Sequence, residues 1–297
     1  MAPKRDFLLL ADLSPAEHRS LLARARLLKK RRAEGLVDAT LAGKTLALVF
    51  EKPSTRTKLS FEAAITQLGG GAISLGGADS QMSRGETLAD TGKVVSRYAD
   101  AIVFRTFGHD RLIELAKAST VPVINGLSDQ AHPVQLLADL MTLEEKLGKI
   151  AGASIAFVGD GASNMAASWA EAASLFDFTL RIGAPSAFAP KVAMKNVTLH
   201  ESAAEAVTGV DAVVTDVWTS MGQERENAER KRVLGPYQVN AALVAKAKAS
   251  AIVMHCLPAH RGEEITDDVV DGPQSVVLDE AENRMHAQKA LLELLIL

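Results

Sequence analysis

The sequence predicts an α/β protein of two domains, each a parallel sheet flanked by helices, joined by a long helix. Three observations predict this. Short apolar runs alternate with longer helical patterns, the signature of βαβ units around a buried parallel sheet. The rhythm pauses once, at a long helical stretch ending near Gly148, and then restarts. The chain has 297 residues, more than one core of ~100–200 residues is expected to hold.

Each element has its own signal. Ser14 is a helix-capping residue, Pro15 suits the first helical position, and Glu17 follows the cap by three. Leu21, Leu22, Ala25 and Leu28 form an apolar stripe that Gly35 ends. Lys29, Lys30, Arg31 and Arg32 occupy the last turns of that helix. There they complement its dipole and are expected to face water. The first sheet then reads as strands at 45–50, 72–75, 101–104 and 121–124. Helices near 55–68, 86–98 and 110–118 separate them. The joining helix covers about 132–147, with Leu136, Leu137, Leu140 and Leu143 on one side. The second sheet reads as strands at 154–158, 178–182, 197–200, 212–215 and 251–254, with a helix at 164–175. A last short strand is expected at 276–278, before a terminal helix.

Composition narrows the function. Hydrophobic residues are 47% and charged residues 23%, as in an ordinary globular chain. A net charge of -3 argues against a nucleic-acid binder that works by bulk charge, and 4% aromatic content argues against base stacking. The single cysteine, Cys256, permits no intrachain disulfide and no cysteine-rich zinc site, which fits a reducing compartment. The apolar run at residues 7–11 stops at Asp12, too short for a signal-peptide core, and the terminal helix is far short of a membrane span. A soluble cytoplasmic protein is expected.

Chemistry-bearing residues collect where strands end. The first strand runs into Ser54, Thr55, Arg56 and Thr57 at a helix start. Free N–H groups, hydroxyls and a guanidinium together suit a phosphate, although Ser54 and Thr55 would also serve as plain caps. The stretch is not a P-loop, because the glycine spacing and the Gly-Lys-Ser/Thr end are missing. Arg105 ends the third strand, and His132 and Gln135 follow the fourth, three residues apart. Carboxyl ends of parallel strands are where open α/β sheets bind ligands. In the second half, Gly159-Asp160-Gly161 resembles a dinucleotide loop but lacks the third glycine and the later acidic residue. Asn164 at its end remains a substrate-contact candidate. Asp216 leads into Trp218-Thr219-Ser220-Met221-Gly222, read either as a loop over a site or as a surface turn. Cys256 follows the strand at 251–254 and is open to three readings: nucleophile, ligand contact or inert thiol.

Taken together, Ser-Thr-Arg-Thr, Phe-Arg-Thr-Phe, His-Pro-x-Gln, Asp-Val-Trp-x-Ser-Met-Gly and His-Cys-Leu-Pro, in this order, resemble the aspartate/ornithine carbamoyltransferase family. The resemblance runs from about residue 6 to the terminal helix. Ser220-Met221-Gly222 and His255-Cys256-Leu257-Pro258 place it on the ornithine branch. The resemblance implies transfer of the carbamoyl group of carbamoyl phosphate to the δ-amine of L-ornithine, giving L-citrulline and phosphate; between arginine synthesis and arginine breakdown, the compact chain favours synthesis. It implies that Ser54, Thr55, Arg56 and Thr57 hold the phosphate and that Arg105 bridges phosphate and carbonyl oxygen. His132 and Gln135 would hold the carbamoyl group, with the Leu257 main chain near its amide and Arg284 near its carbonyl. Asn164, Asp216, Ser220 and Met221 would hold ornithine, with Cys256 beside the reacting amine. The catalytic residues implied are Arg105, His132, Cys256 and Arg284. Gln81 matches a residue that relatives lend to a neighbouring subunit's site, so a homotrimer with interfacial sites is implied. Residues 1–138 would form the carbamoyl-phosphate domain, with terminal helix 279–297 packed back on it, and residues 139–278 the ornithine domain. No cofactor, metal, nucleic acid or membrane partner is implied. One position departs: Lys58 stands where the family usually has a second arginine, which keeps the charge but loses the fork geometry.

These residue types suit acyl transfer to an amine. The substrate amine is itself the nucleophile, so the site must neutralise a dianion, polarise a carbonyl and position two reactants. Charge-assisted hydrogen bonds supply about 1.5–3 kcal/mol each, oxyanion donors about 3–4 and proximity about 7–11. Those reach the ~8–23 kcal/mol of ordinary enzymes without a covalent intermediate. Other readings are a sibling transferase for acetylornithine or putrescine, a non-catalytic binding module, and an NAD enzyme. The intact Arg56, Arg105, His132 and Cys256 oppose the module, and the incomplete dinucleotide loop opposes NAD.

Overall fold

The computed structural model describes residues 4–76, 81–190, 194–219 and 227–297, apart from the side chains of Ser83 and Asn227. Ser220 and Met221 therefore lie outside the described residues. The strands are β1 (Thr45–Phe50), β2 (Gly71–Gly76), β3 (Ala101–Arg105), β4 (Val123–Leu127), β5 (Ser154–Val158), β6 (Thr179–Gly183), β7 (Val197–His200), β8 (Ala212–Thr215) and β9 (Ile252–His255). The helices are α1 (Pro15–Ala33), α2 (Thr55–Gln67), α3 (Leu88–Val95), α4 (His109–Ala118), α5 (Pro133–Leu147) and α6 (Asn164–Phe176). They continue with α7 (Ala203–Val207), α8 (Asn227–Leu234), α9 (Ala241–Val244), α10 (Asp267–Val270) and α11 (Val277–Ile296).

Two compact units result, one of Met1–Met141 with Glu282–Leu297, the other of Thr142–Ala281. The first sheet has the order β2-β1-β3-β4 and the second β7-β6-β5-β8-β9, and the pairings within both are parallel. In the first, the order reverses between β1 and β3. In the second, it reverses between β5 and β8. A crevice opens at such a reversal because the connections leave in opposite directions, and ligands of open α/β sheets bind there.

Strands β1, β3, β5, β8 and β9 form where apolar side chains are buried in succession, whereas the edge strands β2 and β7 stay partly exposed. The first unit packs Ala47, Val49, Ile102, Phe104 and Val123 against Leu112, Leu115 and Val95 from its helices. The second packs Val158, Val213 and Val253 against Val207, Val239, Leu243 and Ile265. Phe104 is 0% exposed, so truncating it to alanine would cost about 3–5 kcal/mol. At α1 the Ser14 hydroxyl accepts from Glu17 N while the Glu17 carboxylate accepts from Ser14 N, a reciprocal cap.

Three expectations are corrected. Residues 276–278 are not a strand: Ser275 makes one isolated bridge to Val253, and Val277 already belongs to α11. The β-branched run suggested a strand, but it lies in and before the first turn of a twenty-residue amphipathic helix. The basic cluster of α1 is only partly solvated. Lys29 Nζ donates to Asn283 Oδ1 on α11 at 2.7 Å, and Arg31 Nε to the buried carboxylate of Asp38 at 2.8 Å. Trp218, read as part of an exposed turn, is 4% exposed.

Candidate functional site

In the first unit, β1 ends at Phe50 and α2 begins at Thr55, with Ser54 as its extended N-cap residue. The Ser54 side chain makes no capping hydrogen bond, so its hydroxyl is not consumed by the cap reading. Thr57 is buried, Arg56 half-buried and Lys58 exposed. Beside them β3 delivers Arg105. The ends of β1 and β3 are tied together by Glu51, which accepts from Thr106 Oγ1 and from Arg111, while Glu51 N donates to Arg105 O at 2.9 Å. Lys52, 8% exposed, lies over the Phe107 ring at 4.2 Å. Burial and then the charge of Arg105 lower its pKa.

After β4 the chain turns through Ser128 to Ala131. Ser128 Oγ accepts from Ala131 N at 3.3 Å, and Ser128 N donates to Ala131 O at 3.0 Å. The buried Asn125 amide donates to Ala131 O and accepts from Leu127 N. This fixes His132 directly before α5. His132 is 5% exposed. Burial first, then the positive charges of Arg284, Arg105 and Arg56, push its pKa well below the ordinary histidine value. A neutral imidazole among three guanidiniums follows, with an N–H to donate and no charge to add.

Arg284 comes from α11. It is 3% exposed, its Nη1 donates to Gln135 Oε1, and its Nη2 donates to Thr57 Oγ1 at 2.8 Å. Gln135 Nε2 in turn donates to Asp139 Oδ1 at 2.8 Å. Thr57, Arg105, His132, Gln135 and Arg284 are thus brought to one place, with Arg56 close enough to act on His132. Gln81 is exposed, in a short 3-10 turn at Gln81–Arg84.

In the second unit, Asp216 directly follows β8 and Cys256 directly follows β9, and the two strands are neighbours. The Cys256 thiol donates to Asp216 Oδ1 at 3.2 Å. Both residues are half-buried, so neither the solvent-sealed thiol nor a wholly exposed one is found. Asn164 is the first residue of α6, half-buried, after the cap Ser163.

The turn after β9 is held by a chain of bonds. His255 Nε2 faces Glu264 Oε1 at 3.0 Å, and His255 Nδ1 accepts from Leu257 N at 2.9 Å. His260 N reaches the same Glu264 oxygen at 2.6 Å. The acceptor role of Nδ1 puts the proton of a neutral ring on Nε2, toward the carboxylate. Although ligand atoms of Asp216, His255 and Cys256 lie within 4.8 Å of one another, both His255 nitrogens already have partners. Leu257 has a φ of 57° and a cis bond to Pro258.

The glycine loop after β5 is used for packing. Gly159 has a φ of 128° and lies under the Trp218 indole, whose Nε1 would be 3.4 Å from an added Cβ. A Cβ on Gly161 would sit 2.8 Å from both Ile182 and the Phe188 carbonyl. Between them, buried Asp160 pairs with Arg230, whose Nε also donates to Trp218 O at 2.6 Å. Burial raises the Asp160 pKa, and the Arg230 charge opposes that rise. A loop that turns a carboxylate and crowded glycines inward is a poor pyrophosphate cradle.

Sequence reasoning passed over Asp139, Arg230 and Glu264. The four-residue spacing from Gln135 to Asp139 was a readable signal, because such pairs face each other on a helix. The partners of Arg230 and Glu264 had no local signal.

Comparison with known proteins follows the same division. The profile described as the aspartate/ornithine carbamoyltransferase carbamoyl-P binding domain matches residues 5–145, and that of the Asp/Orn binding domain matches residues 151–295. An ornithine carbamoyltransferase of Nitrobacter winogradskyi is 52% identical over 297 residues, covering 97% of this chain and 96% of the relative. The solved ornithine carbamoyltransferase of Pyrococcus furiosus superposes with a TM-score of 0.94 at 48% identity, covering 99% of this chain and 97% of that one. The anabolic ornithine carbamoyltransferase of Campylobacter jejuni gives 0.91 at 37% identity, covering 98% of each.

Proposed function

The chain belongs to the aspartate/ornithine carbamoyltransferase family, and on that premise we propose that it transfers the carbamoyl group of carbamoyl phosphate to the δ-amine of L-ornithine. The products are L-citrulline and phosphate. The δ-nitrogen lone pair attacks the carbonyl carbon, a C–N bond forms, the C–O bond to phosphate breaks, and the proton the nitrogen gives up leaves with the departing phosphate. The observation that carries the reading is the buried Arg284, which donates to Gln135 Oε1 and to Thr57 Oγ1, in a unit whose buried His132 has its pKa lowered by burial and by Arg284, Arg105 and Arg56. A dianion and a polarised carbonyl need cations and an N–H donor together, and a general base at that position would need a higher pKa.

In this reading Ser54, Thr55, Arg56 and Thr57 hold the phosphate, and Arg105 spans phosphate and carbonyl. His132, Gln135 and Arg284 hold the carbamoyl group, with Cys256 and the Leu257 main chain completing its surroundings. Asn164, Asp216, Ser220 and Met221 hold ornithine. Asp216 and the Cys256 thiol orient the amine, and their hydrogen bond supports that pairing. Arg105, His132, Cys256 and Arg284 act on the reacting atoms. The carbamoyl-phosphate domain is assigned to residues 1–138 with helix 279–297, and the ornithine domain to residues 139–278.

Arginine biosynthesis is the proposed setting, supported by similarity to a relative named anabolic. A cytoplasmic homotrimer is the proposed form, in which Gln81 serves a neighbouring copy's site. Exposed apolar Leu59 on α2 and Ile73 on the edge strand β2 support association. No helix among the described residues is long and apolar enough to cross a membrane. One assay tests the reaction: carbamoyl phosphate with ornithine, acetylornithine or putrescine, read as phosphate release and citrulline. Citrulline from ornithine alone is expected, and release only with another amine would overturn the substrate. Light scattering reads the assembly, and a monomer at working concentration would overturn the trimer.

A further inference from the structure

We propose that Asp129 is a positioning residue for His132: by holding the first residue of α4, it locks the turn that presents His132 to the carbamoyl carbonyl. The inference rests on the function proposed above and adds a residue to its machinery.

Helix α4 begins without a capping side chain of its own. Its N-cap residue is Gly108, and the N–H of His109, the first helical residue, is among those a helix leaves without an internal partner. Asp129 supplies the acceptor from beyond β4: its Oδ1 accepts from His109 N at 2.9 Å. The charge suits the place, because a helix N-terminus is partly positive. Further bonds repeat the tie. The His109 ring, in a residue 6% exposed, sets Nδ1 against Ser128 Oγ at 2.9 Å. Asp129 N donates to Phe107 O at 2.9 Å, and Thr106 N donates to Leu127 O at 3.1 Å. The turn is thus fastened to the exit of β3 and to the start of α4, and Ser128 N closes it on Ala131 O. His132 is the next residue. A misplacement of about 1 Å in a catalytic group can cost about a hundredfold in rate. The phosphate is proposed to sit on the α2 start, whereas the Asp129 carboxylate bonds to α4. Asp129 also acts electrostatically on Lys52. It is itself exposed, so solvent screens that charge, and the test separates bond from charge.

The test measures kcat, the inhibition constant of inorganic phosphate, and urea unfolding. The proteins are wild type, Asp129→Ala, Asp129→Asn, Gly108→Ser and the double variant of Asp129→Ala with Gly108→Ser. Asparagine keeps an acceptor oxygen and loses the charge. Serine at position 108 caps α4 from within, and there is room for it: a Cβ added there meets Arg111 Cγ at 3.9 Å. D129A is expected to lower kcat about tenfold, with phosphate inhibition within about twofold of wild type. D129N and G108S are expected to stay within about threefold of wild type on both. The double variant is expected to regain wild-type unfolding and to keep the low kcat, because its new cap steadies the helix and holds no turn. Rates are compared per folded protein, read from the urea baseline. Should D129A alone fail to melt cooperatively, the double variant carries the expectation. Recovery of kcat together with stability in the double variant would reduce Asp129 to a helix cap and overturn the inference. A D129N as slow as D129A, or a phosphate constant weakened as much as kcat, would overturn it too. A wild type that makes no citrulline would overturn the functional reading itself; an active wild type with an unaltered D129A overturns only the role of Asp129.

Discussion

Where strand order reverses between β1 and β3, the first unit carries Arg105 and the α2 start with Arg56, and α11 adds Arg284. Where it reverses between β5 and β8, the second carries Asn164 and Asp216, with Cys256 at the end of β9. The backbone device is the same and the charge is opposite. The cationic group is buried and bonded within itself through Thr57, Gln135 and Asp139. The acidic group is half-buried, and in it Asp216 Oδ1 accepts from the Cys256 thiol and from Val217 N. A doubly charged phosphate is strongly hydrated, so a site for it must hold several cations ready before the ligand arrives. An amino-acid side chain with one amine asks for fewer fixed groups.

The largest expected break of this contrast is Arg105→Ala. Loss of a charge-assisted bond and of oxyanion support together is expected to lower kcat/KM for carbamoyl phosphate at least about a thousandfold, and Arg105→Lys should recover only part of it because the fork is lost. Steady-state kinetics checks both. Next, Arg230→Leu leaves Asp160 buried without its cation. The second unit is expected to lose about 3–5 kcal/mol in denaturant unfolding, whereas carbamoyl-phosphate binding by the folded fraction stays near wild type. Cys256→Ala comes third. A rise of about ten- to thirtyfold in ornithine KM is expected, from one lost polar contact to the amine, against little change for carbamoyl phosphate. Equal losses for both substrates would contradict the division of labour between the units. Smallest is Lys58→Arg. The side chain is exposed, so a change under about threefold in phosphate inhibition is expected.

Much of this was legible in the residues. Continuous apolar runs marked the strands because parallel strands are buried on both faces, and strand ends marked the polar groups because the sheet's carboxyl edge is open. Val276-Val277-Leu278 misled because local β preference lost to the amphipathic pattern that follows. Trp218 misled because its burial depends on Gly159, distant in sequence. Arg31 and Lys29 misled because a surface reading of lysines and arginines cannot see Asp38 or Asn283 approaching. Ion pairs such as Arg230 with Asp160 follow from tertiary packing and leave no periodic trace.

The first unit is discontinuous along the chain. From Glu282 onward, helix α11 follows the whole second unit along the chain and carries Arg284, the donor to Thr57 and Gln135. A nascent polypeptide therefore has every residue of its Thr142–Ala281 unit before the residues that complete the unit begun at its N-terminal side. A chain cut in α11 ahead of Arg284 loses the guanidinium that ties α2 to α5.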